Sequence, residues 1–132
     1  AASAALAERH NRDDLLAGID LTQADDRVAN VLMSLARQEN APRSKALATQ
    51  IVGGIKNAVG RVHKRPLRSA GFSVLKAADI PSVLVEVGFL STEADLKNLI
   101  DPIWRQGMAA GIRDGIIAWR DEDAALAPLR RK

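Results

Sequence analysis

The chain has 132 residues, enough for one domain, and 47% of them are hydrophobic, which excludes a disordered tail. A formal charge of +3 from 19 basic and 16 acidic residues is too small to imply nucleic acid, and no apolar run approaches the roughly 18 residues that span a bilayer. Cysteine is absent, so disulfides and thiolate metal sites are excluded, and with 3% aromatics any core rests on Leu, Ile, Val and Ala.

Residues Ala1 to about His10 are alanine-rich and predict a helix with Ala2, Leu6 and Arg9 along one stripe. Asn11 to Leu21, with Asp13, Asp14, Gly18 and Asp20, reads as a loop. Thr22 and Asp25 form a capping-box-like start for the next helix. Val28, Val31, Leu32 and Leu35 then recur at i, i+3, i+4 and i+7, an amphipathic pattern that runs to about Glu39. Pro42 fits the first turn of a further helix, whose stripe of Leu47, Ile51, Ile55 and Val59 ends near Gly60.

A basic connection follows, with Arg61, Lys64, Arg65 and Arg68 around His63. It reads as a solvated loop, and the terminal Arg130-Arg131-Lys132 as a frayed end. Neither cluster interleaves the aromatics on which nucleic-acid bases stack. Short strands are expected at Phe72 to Leu75 and Val83 to Val87. Too few residues join them for a parallel crossover, so direct pairing would be antiparallel. Ser91 or Thr92 caps a short helix through Leu99. Asp101-Pro102 opens the last helix, with Trp104, Met108, Gly111, Gly115 and Trp119 on one face and Ile112 and Ile116 beside it. Beyond Arg120 the chain reads as a disordered tail, residues 122–132. The fold class this implies is α/β, part of a mixed sheet flanked by helices. There is no internal repeat.

Within Ile80-Pro-Ser-Val-Leu-Val-Glu-Val-Gly-Phe-Leu-Ser91, Glu86 is the sole carboxylate in an apolar, largely β-branched run. That pattern reads as a strand buried on both faces. An ionised group there is costly unless it is paired, metal-linked or opens into a site. Glu86 is therefore either a satisfied structural carboxylate or a functional one.

The segment Pro81-Ser-Val-Leu-Val-Glu-Val-Gly-Phe-Leu-Ser91 resembles the second signature of the zinc-dependent N-acetylmuramoyl-L-alanine amidases of the amidase_3 type. The likeness extends upstream through Ala70-Gly-Phe-Ser-Val-Leu-Lys76 and Asp79, and downstream through Glu93, Leu99 and Gly111 to Ile116. In order and spacing it covers about residues 1–121. It implies cleavage of the amide between muramic acid and the stem peptide of peptidoglycan, with Glu86 as general base and then general acid. Gly88 would let the chain turn toward the substrate cleft.

The family's zinc is held by two histidines and a glutamate in motifs resembling Asp-Pro-Gly-His-Gly-Gly and Ser-Ile-His-Ala, and neither occurs here. The resemblance thus implies the C-terminal half of a catalytic domain, beginning after the third zinc ligand, with no metal ligand in this chain and no activity alone. The fragment would expose strand edges and self-associate. His63 is a candidate substrate contact, beside the plainer reading of a surface histidine. Residues 11–40 resemble the regulatory insertion of the cell-division group. That likeness makes Val28, Val31, Leu32 and Leu35 regulatory contacts, with His10 beside them, and implies a LytM-domain activator. It further implies a periplasmic or otherwise exported location, with the signal outside this chain. An anionic wall polymer is a possible partner of the basic connection. Two other classes compete: a non-catalytic wall- or activator-binding fragment, and a plain α/β structural module.

Overall fold

The structure is a computed structural model in which residues 26–75, 77 and 80–130 are described. The elements expected over residues 1–25, His10 included, lie outside that range. Helix α1 runs Asp26–Val59, a 3-10 turn covers Ser73–Leu75, α2 is Glu93–Ile100 and α3 is Pro102–Arg130. Contacts divide the chain into two units, Ala1–Lys45 with Ser69–Val83 and Ala46–Arg68 with Leu84–Lys132.

The expected α/β class is overturned: among the described residues there is no β-strand and therefore no sheet. Where a first strand was predicted, Leu75 N–H bonds back to Phe72 O at 3.2 Å, closing a 3-10 turn instead of an extended ladder. Val83–Val87 takes no regular structure. Val83 and Val85 are half-buried, and Leu84, Glu86 and Val87 are exposed. An extended segment without a partner has no ladder to define it as a strand.

Nor does the helix break before Pro42, because α1 passes straight through it. Proline removes one ladder donor, which orphans the carbonyl of Gln38. Gln38 is exposed, so water can satisfy that carbonyl. Two residues before Pro42, Asn40 is buried, and its Oδ1 accepts from Arg43 Nη1 at 2.6 Å. At the other end, Gly60 at φ 74° terminates α1, its N–H returning to Lys56 O at 2.9 Å.

In the second unit the expected stripe holds. Leu47, Ile51 and Ile55 are buried, as are Met108, Gly111 and Gly115 on α3. The helices touch backbone to backbone there. A Cβ on Gly115 would lie 2.5 Å from Ile51 Cα and 2.6 Å from Gln50 O. A Cβ on Gly111 would meet Gly54 O at 2.8 Å. Gln50 Nε2 also donates to Glu122 Oε2 at 2.8 Å, and Arg130 pairs with Asp123 at 2.8 Å. Helix α3 accordingly continues to Arg130, past the Arg120 at which the sequence pattern ends it.

The short helix α2 is held at both ends. Arg105 Nη1 donates to Leu99 O at 2.9 Å, satisfying a C-terminal carbonyl of α2. Asp101 Oδ1 accepts from Ile103 N–H at 2.9 Å, the predicted cap of α3 with proline at its first position.

Candidate functional site

Glu86 is exposed rather than enclosed in a strand, which corrects the reading of a desolvated carboxylate. Among the described residues it has no hydrogen-bond or ion-pair partner. What distinguishes it is the fixing of the chain just after it, within the same unit. Upstream, Ser82 N–H donates to Ser44 Oγ of α1 at 3.0 Å, and Ser82 Oγ donates to Ile80 O at 3.2 Å.

Downstream, three interactions fasten the segment to α2. Gly88 sits so close to the helix that a Cβ there would lie 3.3 Å from Asp95 Cβ and 3.4 Å from Leu99 Cδ1. Phe89 N–H donates to Asp95 Oδ2 at 3.0 Å. Thr92 N–H donates to Phe89 O at 3.1 Å, closing the turn into α2. Thr92 occupies the predicted cap position, but its side chain makes no cap hydrogen bond. The acid in the third helical position, Asp95, reaches back past the cap to Phe89 instead. The sequence analysis missed Asp95, although Thr92-x-x-Asp95 is a capping-box pattern that would have singled it out.

His63 lies in the exposed basic connection. Its Nδ1 lies 3.1 Å from Arg65 N–H, which donates to it, and 3.3 Å from Arg65 O, so that nitrogen is engaged by the backbone of its own loop. Arg61, Lys64, Arg65 and Arg68 are all exposed. No acid separates them in sequence, and among the described residues none of the four makes a side-chain ion pair. No hydrogen bond or ion pair joins His63 to Glu86.

Of the predicted regulatory stripe, Val28, Val31 and Leu35 are exposed at 47%, 58% and 56%, and Leu32 is half-buried. The buried side chain of this stretch is Met33, which lies off the predicted stripe. His10 lies outside the described residues. No group of three or more His, Cys, Asp or Glu among the described residues could hold a metal ion. The zinc implied by the family resemblance does not fit these residues, and they assign no step to it. No helix among them is long and apolar enough to cross a membrane.

Comparison with known proteins gives a consistent result. The N-acetylmuramoyl-L-alanine amidase profile, Amidase_3, matches residues 9–118. The N-acetylmuramoyl-L-alanine amidase AmiA of Salmonella typhimurium is 35% identical over 128 residues, 95% of this chain and 44% of that protein. AmiA of Escherichia coli K12 is 34% identical over the same shares, 95% and 44%. AmiC of Escherichia coli O6:H1 is 31% identical over 92% of this chain and 29% of its own length. The chain therefore spans less than half the length of these curated relatives. No solved structure gives a significant match.

Proposed function

The chain belongs to the N-acetylmuramoyl-L-alanine amidase family, and from that premise we propose that the complete protein hydrolyses the amide between N-acetylmuramic acid and L-alanine of the peptidoglycan stem. Cell-wall remodelling and daughter-cell separation would be its use. The observation that carries the role of this chain is Glu86, an exposed carboxylate with no partner among the described residues, on a segment fastened to α2.

Amide hydrolysis requires a proton to leave the attacking water and a proton to reach the departing nitrogen. An ionised carboxylate accepts the first and, once protonated, donates it to the amine. Glu86 fits this cycle because it is exposed and engaged by no other group among the described residues. The exposed His63 and the exposed Arg61, Lys64, Arg65 and Arg68 around it, which make no side-chain ion pair among the described residues, suit contact with the carboxylates of a stem peptide or another anionic wall polymer. Zinc enters this reading as the cofactor of the complete protein, held by residues other than those described. Peptidoglycan lies outside the cytoplasmic membrane, so the same reading carries an exported, periplasmic location.

A regulatory role for the 11–40 segment draws support from Val28, Val31 and Leu35, which leave an apolar stripe of α1 uncovered. Such a stripe can dock in a groove, here that of a LytM-domain activator or of the enzyme itself. A non-catalytic wall- or activator-binding fragment is the alternative, and one measurement separates the two. In the complete protein, Glu86→Gln should lower release of stem peptide from purified peptidoglycan by about 10²–10⁴-fold with folding intact. Activity within a few-fold of the unaltered protein would remove Glu86 from the role. Failure of the unaltered protein to release stem peptide would remove the amidase reading itself.

A further inference from the structure

We propose that Asp95 is a positioning residue for Glu86, an inference that rests on the general acid/base reading of Glu86. The segment that carries Glu86 has no regular secondary structure, so no ladder or helix fixes where its carboxylate stands. Its place is set by the nearest attachments along the chain. The closest is three residues on, where Asp95 Oδ2 accepts the Phe89 N–H at 3.0 Å.

That bond is made by a carboxylate to a backbone donor, the stronger class of hydrogen bond. Its acceptor belongs to the first turn of α2, where an acid is also favoured by the helix dipole. The anchor is rigid in turn, because α2 is bound through Leu99 O to Arg105 at the start of α3. Gly88 completes the clamp by bringing the backbone against Asp95 Cβ and Leu99 Cδ1, a space that a side chain would fill. The carboxylate of Asp95 is thus committed to the backbone beside Glu86. It holds the general acid/base within the short range that proton transfer requires.

The test uses the complete enzyme on peptidoglycan. Asp95→Ala should lower kcat by as much as about 100-fold while KM stays near its normal value, the consequence of displacing a catalytic group by an ångström or so. Asp95→Asn, which keeps an oxygen to accept the Phe89 N–H, should recover kcat to within a few-fold. Combined with Glu86→Gln, Asp95→Ala should add no further loss, since it acts only through Glu86. Should Asp95→Ala fail to fold, Gly88→Ala serves in its place: it leaves Asp95 present, but its methyl crowds Asp95 Cβ at 3.3 Å and Leu99 Cδ1 at 3.4 Å and shifts the segment by a few tenths of an ångström, so kcat should fall by a few-fold with KM unchanged.

Unchanged kcat in Asp95→Ala, or in Gly88→Ala where that variant decides, would overturn the proposal while leaving the role of Glu86 standing. Additive losses in the double variant would overturn it equally. If Glu86→Gln alone retains activity, the reading of Glu86 fails first, and that result is separate from any obtained at Asp95.

Discussion

A glutamate on an irregular, exposed segment differs from one sealed in a strand in what governs its chemistry. Under the proposed role, the usefulness of Glu86 depends on where the backbone holds it. Position can be tested separately from charge. Glu86→Asp keeps the carboxylate but withdraws it by one methylene, about 1.5 Å. Set beside Glu86→Gln in the complete enzyme, the aspartate should give an intermediate kcat, because an ångström of misplacement costs up to about 100-fold. An aspartate enzyme as fast as the unaltered one would show that the carboxylate need not be precisely placed, and the clamp at Asp95 would lose its purpose.

At the scale of elements, the contact of α1 with α3 reverses an ordinary rule. Glycine to alanine in a helix interior usually stabilises by up to about 1 kcal/mol. At Gly115 the new methyl would strike backbone atoms of Ile51 and Gln50 at 2.5–2.8 Å, so the helices must part. Overpacking of this kind costs about 1–3 kcal/mol. Gly53, one turn of α1 away with nothing within 4 Å, is the control. Thermal melts should show Gly115→Ala lowering Tm and Gly53→Ala leaving it level or raising it; equal responses would discount the close approach. Further up α1, Leu32→Asp with Leu35→Asp should raise the basal activity of the complete enzyme and abolish its response to an activator. A folded variant with unchanged basal activity would make that face merely structural.

These elements also mark how far the sequence could be read. Leu47, Ile51 and Ile55, the Asp101-Pro102 start and the Gly111–Gly115 face follow from local periodicity and capping, and they stand as expected. The strands do not, because a strand is defined by a distant partner that no local pattern supplies. Pro42 misled for a related reason: its steric rule is local, but an exposed, solvated Gln38 carbonyl lets the helix run on. Glu86 was found from the oddity of a charge in an apolar run, although the burial inferred from that run is absent. Asp95 is legible in the sequence as the acid of a Thr92-x-x-Asp95 capping box, but its acceptance of the Phe89 N–H, in place of the cap, is not.

Across the molecule, apolar side chains outnumber the places that cover them. Val74, Leu90, Ile100 and Ile103 are exposed at 72%, 76%, 67% and 79%, while among the described residues the buried hydrophobic ones are Met33, Leu47, Ile51, Ile55 and Met108. Each large aliphatic left in water forgoes about 1.5–3 kcal/mol of burial. Several together are the usual mark of a surface that binds protein or associates. Ile100 and Ile103 bracket the Asp101 cap, so neither can turn inward without breaking the start of α3. The 132-residue chain should therefore self-associate, its weight-average mass in sedimentation rising with concentration. Replacing Leu90 and Ile103 with lysine should weaken that association without lowering helix content, since neither contributes to the buried set. A chain that stays monomeric at every concentration, or variants that associate as strongly as the original, would mean that these side chains are tolerated in water and drive no assembly.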